Sequence, residues 1–139
     1  MNLAGTLRTF DPALRKDVMA RIEKTVTSIA ERYGAKGRID WGISNPVTTN
    51  DRPLVARMAP TLTRAAGGKV NGEIDYITGA EDFSYYQQKI PGFFYNLGIG
   101  FPAGVNHSPF FNVMDERALE VGVRAQALTA LDYLRGAGG

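Results

Sequence analysis

The sequence contains no cysteine and only one histidine in 139 residues. Without cysteine there is no disulfide framework, thiolate zinc site, iron–sulfur cluster or catalytic thiol. With one imidazole there is no two-histidine zinc motif, and any Ser-His-Asp site has to use His107. A cysteine-free chain suits a reducing compartment, so a cytoplasmic location is expected. Long apolar runs are also missing, so no membrane span is expected. The first residues, Met1 to Arg8, lack the apolar stretch of a secretory signal. A large charge of either sign is absent too. Sixteen basic and 14 acidic residues leave a formal net charge of +2. That balance gives no electrostatic case for nucleic acid or an anionic membrane as partner.

What remains is a globular composition, 44% hydrophobic and 22% charged. The length suits one domain or two small pieces, with a core that needs no covalent staple. Residues 1–43 read as strand, helix, strand. Asn2 to Phe10 is a strand candidate with Leu3 and Leu7 on one face. Asp11-Pro12 starts a helix, because Asp accepts from unpaired N–H groups and Pro loses nothing at the first helical position. Leu14, Val18, Ile22, Val26, Ile29 and Tyr33 recur at helical spacing, and Gly34 is the expected stop. Arg38 to Ile43 alternates at strand period, with Ile39, Trp41 and Ile43 on one side. This segment carries eight basic and five acidic residues, a surplus of +3.

Turn-forming residues over 44–50 mark a domain boundary. A second helix is predicted from Asp51, carrying Leu54, Val55, Met58 and Leu62, with Pro60 kinking or ending it. Gly67-Gly68 closes it, and Lys69 to Ile77 holds a short strand candidate. Thr78-Gly79-Ala80-Glu81 fits a capping box before a short helix through Ile90, with Phe83 and Tyr86 inward. Phe93 to Ile99 reads as a strand buried on both faces. A glycine-rich loop then leads to Asn106-His107-Ser108-Pro109. The last helix is predicted over Asp115 to Leu134, with Leu119, Val123, Leu128, Leu131 and Leu134 as its apolar face.

Four positions could carry chemistry. His107 lies in a loop after an apolar strand candidate, where α/β proteins place functional groups. A lone loop histidine can equally be a surface residue, and a metal needs three or four donors. Glu81, next to Asp82, is either a group beside His107 or simply a helix cap. Arg8 either grips a carboxylate in a bidentate fork or is solvated. Gly79 sits in the same short run as Glu81. The aromatic cluster Phe83, Tyr85, Tyr86, Phe93, Phe94 and Tyr95 has too few basic neighbours for a base-stacking platform.

Six motifs follow in one order: Gly5-Thr6-Leu7-Arg8-Thr9-Phe10-Asp11; Pro46-Val47-Thr48-Thr49-Asn50-Asp51; Gly79-Ala80-Glu81-Asp82-Phe83-Ser84; Pro91-Gly92-Phe93-Phe94-Tyr95-Asn96-Leu97-Gly98; His107-Ser108-Pro109-Phe110-Phe111; and Asp115-Glu116-Arg117-Ala118-Leu119. The series resembles the C-terminal part of the metal-dependent amidohydrolases of the hippurate hydrolase and indole-acetyl-amino-acid hydrolase type. These belong to the aminoacylase and carboxypeptidase group.

The resemblance implies an α/β fold. Residues 1–43 would be the strand–helix–strand second half of a lid (dimerisation) domain. Residues 44–139 would be the C-terminal part of a zinc-peptidase-like catalytic domain. It implies hydrolysis of N-acyl amino acids at a two-metal site of zinc or manganese. It makes His107 the last metal ligand, and Arg8, Gly79 and Glu81 substrate contacts. The family's other ligands and its general base have no counterpart here. A two-metal site needs several carboxylates and imidazoles, so this chain alone is expected to bind no metal and to be inactive. The expected partners are an N-acyl amino acid, with a homo-oligomer or a separate N-terminal half completing the protein. The alternatives are a non-catalytic binding or oligomerisation module, and one half of a split enzyme completed in trans.

Overall fold

The computed structural model describes residues 1–68, 70–102 and 106–136. Its elements are α1 (Pro12–Arg32), α2 (Arg52–Ala65), α3 (Phe83–Gln87) and α4 (Arg117–Leu134). Among the described residues there is no strand. The α/β class, with its strand–helix–strand lid half and α/β catalytic part, is therefore corrected to a helical one. The chain divides into two units, one of Met1–Thr49 and Tyr76–Ile90, the other of Asn50–Asp75 and Pro91–Gly139.

In the first unit, α1 begins as its sequence dictates. Asp11 accepts from Ala13 N and Leu14 N at 2.7 and 3.0 Å. Gly34 ends the helix at φ +67, the left-handed region that glycine enters without a Cβ penalty. The chain then runs back along α1 instead of pairing as a strand. Gly37 lies against Val26, where an added Cβ would come within 2.9 Å of Val26 Cγ1. Trp41 Nε1 donates to Glu23 Oε1 at 2.6 Å, and Arg15 Nη1 donates to the Asn45 carbonyl at 3.0 Å. Within the alternation of residues 38–43, Trp41 is thus held on α1, whereas Ile43 is exposed. Asn2 to Phe10 likewise forms no strand. No residue of α1 is fully buried, and Leu14, Ile29 and Tyr33 are exposed.

The helix predicted from Thr78 is shorter and starts later. Thr78 does not cap it: Asp82 is its N-cap residue, without a side-chain cap bond. The Asp82 carboxylate instead accepts from Asn45 Nδ2 at 2.8 Å. Tyr86 is exposed, so of the two rings read as inward only Phe83 is partly covered.

In the second unit, α2 and α4 pack antiparallel. Asp51 caps α2 through Leu54 N at 2.8 Å. The helix continues past Pro60, which is exposed, because Thr61 and Ala65 beyond it are buried at the helix pair. Met58, Thr61 and Ala65 face α4, and Ala118 and Ala125 are the buried residues of α4. Of the stripe read as the apolar face, Leu119, Val123, Leu131 and Leu134 are exposed and Leu128 is half-buried. Polar links fix the pair: Arg57 Nη2 to Tyr133 O at 2.9 Å, Thr61 Oγ1 to Asp132 Oδ2 at 2.6 Å, Arg64 Nη2 to the same Asp132 Oδ2, and Arg124 Nε to Ala65 O at 2.8 Å. The last satisfies a carbonyl at the end of α2 that no helical N–H can reach.

Residues 93–99 are not a doubly buried strand, since Phe94 and Leu97 are exposed. The Asn50 amide takes the place of a neighbouring strand. It accepts from Phe94 N at 2.7 Å and donates to Phe94 O at 2.9 Å. The strand candidate over 70–77 is also unpaired, and Lys69 lies outside the described residues.

Asp132 gives this unit a pH dependence. The Thr61 hydroxyl and then the Arg64 guanidinium hold its carboxyl below the ordinary value. A carboxyl depressed on folding contributes stability above its unfolded pKa and loses it as pH falls through the folded one. The unfolding midpoint of the second unit is therefore expected to drop on acidification. Asp132→Asn should flatten that slope, measured as thermal midpoint against pH.

Candidate functional site

The first unit contains a groove of about 180 Å3. Residues 6–10, 45–48 and 77–80 line it, with Arg15 and Ile43. The extended segment before α1, the return segment after it and the approach to α3 meet here. The volume lies below the roughly 300–1,000 Å3 of drug-sized pockets.

No aspartate or glutamate lines the groove, whereas Arg8 and Arg15 both do. Arg8 is exposed and, among the described residues, has no hydrogen-bond or ion-pair partner. Arg15 is half-buried and its one partner is the Asn45 carbonyl. The return segment forming one wall is held from two sides. Tyr85 OH of α3 donates to Ser44 O at 3.1 Å, and Thr49 N donates to Gln87 Oε1 at 3.1 Å. The groove's wall is thus tied to α1 and α3 together.

Of the predicted contacts, Arg8 and Gly79 come together in this groove. A Cβ at Gly79 would meet only Ile77 Cγ2, at an ordinary 3.7 Å. Glu81 is not among the lining residues. Its Oε1 accepts from Phe83 N at 3.3 Å, and its carbonyl accepts from Ser84 Oγ at 2.7 Å. It serves the start of α3. Arg15 and Asn45 are lining residues that the sequence did not single out. The available signal was the Asp11-Pro12 cap, which fixes where α1 starts and so where the next side chains stand.

His107 belongs to the second unit. It is exposed, with φ 64, a left-handed backbone uncommon outside glycine. Ser108 stabilises the following turn by accepting from Phe110 N at 3.1 Å and Phe111 N at 3.1 Å. Among the described residues, no three His, Asp or Glu side chains gather so that they could hold a metal ion. The donor set therefore does not fit the zinc or manganese centre that the resemblance implies. Among the described residues, no helix is long and apolar enough to cross a membrane.

Comparison with known proteins gives the ancestry. The chain is 33% identical over 119 residues to N-acetylcysteine deacetylase of Bacillus subtilis, covering 86% of this chain and 30% of that protein. It is 32% identical over 122 residues to N-acetyldiaminopimelate deacetylase of Bacillus licheniformis, covering 88% and 32%. An IAA-amino acid hydrolase of Arabidopsis thaliana is 30% identical over 142 aligned positions, covering 96% and 32%. The chain spans about a third of the length of these relatives. No solved structure matches. Residues 11–132 match the peptidase family M20/M25/M40, typically metal-dependent hydrolases, in agreement with the motif series, and the chain belongs to that family.

Proposed function

We propose that this chain is the C-terminal portion of a metal-dependent amidohydrolase that cleaves N-acyl amino acids, and that it is inactive alone. The observation that carries the reading is the family match over residues 11–132, with relatives whose names specify deacetylation of N-acetylated amino acids or hydrolysis of an amino-acid conjugate. In this reading residues 1–43 derive from the lid and residues 44–139 from the catalytic part. Arg8 holds the substrate carboxylate by a charge-assisted fork, and Gly79 and Glu81 belong to the adjoining wall and its support. His107 is one donor of a centre whose other donors are not gathered among the described residues, so no step through a metal is assigned to this chain. The setting is cytoplasmic.

The exposed Leu119, Val123 and Leu134 of α4 favour a second reading, a non-catalytic module that binds a partner or a second copy. One experiment separates the two. The chain is assayed with N-acyl amino acids and zinc or manganese, alone and with a chain carrying the remaining two-thirds of a family hydrolase. Under the first reading turnover arises only in the mixture, and His107→Ala abolishes it. No turnover in the mixture, together with oligomers by light scattering, supports the second. Metal-dependent turnover by the chain alone refutes its inactivity.

A further inference from the structure

Residues 71–80 are exposed one after another and belong to no helix or strand. Among them Asn71 is followed directly by Gly72. That pair carries both halves of a reaction. The Asn71 side chain is an amide whose carbonyl carbon, Cγ, is electrophilic. The Gly72 backbone nitrogen is a nucleophile once it loses its proton, and no Cβ beside it blocks the approach.

The local geometry favours their meeting. Asn71 Oδ1 accepts from Glu73 N at 3.2 Å. This bond closes a ring that contains both Asn71 Cγ and Gly72 N, and it draws electron density away from Cγ. Among the described residues, a Cβ on Gly72 would meet nothing within 4 Å. The pair is exposed, so its backbone can rotate into the ring-closed geometry. Each of the other asparagines lacks a condition. Asn45 precedes Pro46, which has no N–H to lose. The Asn50 amide is engaged by Phe94 at both ends. The other four precede Leu3, Leu97, His107 and Val113, whose side chains crowd the nitrogen.

We propose that Asn71-Gly72 is a site of covalent self-modification that needs water and no enzyme. Gly72 N bonds to Asn71 Cγ and gives its proton to solvent. The Cγ–Nδ2 bond breaks, and Nδ2 takes up a proton and leaves as ammonia. Water then opens the cyclic imide at either carbonyl. One opening leaves an aspartyl residue at position 71. The other leaves an isoaspartyl residue, with the main chain routed through the former side chain. Either product adds one negative charge, so the formal net charge falls from +2 to +1. The new acid joins Glu73 and Asp75 just before the chain passes from the second unit to the first at Tyr76.

The whole native chain is held at physiological pH and temperature. Each asparagine is followed by peptide mass mapping, and isoaspartate is read by enzymatic methylation. Asn71 is expected to lose its amide at least about tenfold faster than Asn96 or Asn112, the difference that an unhindered glycine nitrogen makes. The loss should quicken as pH rises, because the attacking nitrogen must be deprotonated. Gly72→Ala has room for its methyl group, so it should fold as the native chain does. By crowding the nucleophile it should slow the loss about tenfold. Asn71→Gln should abolish the isoaspartate signal. Amide loss at Asn71 no faster than at Asn96 overturns the proposal, and so does an unchanged rate in Gly72→Ala.

Discussion

Met58→Ala is expected to destabilise the second unit by about 2–4 kcal/mol, the range for truncating a large buried side chain to Ala. Met58 is 0% exposed and is the largest fully buried side chain described. The other buried hydrophobic residues are Ala65, Ala118 and Ala125. These are too small to collapse into the space the thioether leaves, so the cavity term persists alongside the lost transfer energy. Natural domains of ordinary size carry only about 5–15 kcal/mol of net stability, so this is a large fraction. Chemical denaturation followed by circular dichroism should show an earlier midpoint. Met58→Leu, which conserves volume, should cost less than about 1.5 kcal/mol. An unchanged midpoint in Met58→Ala would mean that this side chain does not anchor α2 on α4.

The helices were legible because their ends are written locally. Asp11-Pro12 and Asp51 each place a carboxylate where unpaired N–H groups need one, and both serve as caps. Strands were not legible, because alternation specifies a face and says nothing about a partner. Residues 38–43 have the alternation, yet Trp41 is held on α1. Residues 93–99 are apolar, yet their partner at Phe94 is the side chain of Asn50, distant in sequence and polar.

The packing face of α4 was misread for a related reason. Ala118 and Ala125 are the buried residues of α4, and Asp132 bonds across to Thr61 of α2; such small or polar residues do not register as an apolar stripe. The larger Leu119, Val123, Leu131 and Leu134 do register, and they lie outside that contact. In the candidate site, Arg8 and Gly79 were found through motifs. Arg15 was not singled out, because the return of residues 44–48 onto the first turn of α1 is a tertiary event. His107 stood out because it is the one imidazole in the sequence, and it belongs to the second unit and not to this groove.

Gly100→Ala is expected to cost about 2–3 kcal/mol, from backbone strain plus a close contact. Gly100 holds φ +90, a conformation that L side chains rarely adopt. Its Cβ would lie 3.0 Å from Met114 Cβ and 3.1 Å from Asp115 N. Neither atom can swing away. The first is bonded directly to the backbone, and Asp115 N donates to Ile99 O at 3.0 Å. Moving them would break the paired bonds from Met114 N and Asp115 N to Ile99 O that bring the chain to the start of α4. Gly122→Ala is the internal control. Its Cβ would come within 2.9 Å of Leu97 Cδ2, the far end of a flexible and exposed side chain. Leu97 can rotate aside, and alanine gains about 1 kcal/mol over glycine inside a helix. That variant should therefore be neutral or slightly stabilised, although its contact is the closer of the two. The two variants are compared by thermal midpoint in one buffer. If Gly122→Ala were the more damaging, distance alone would govern the outcome, and the backbone conformation of Gly100 would not be the constraint that holds residues 99–115 in place.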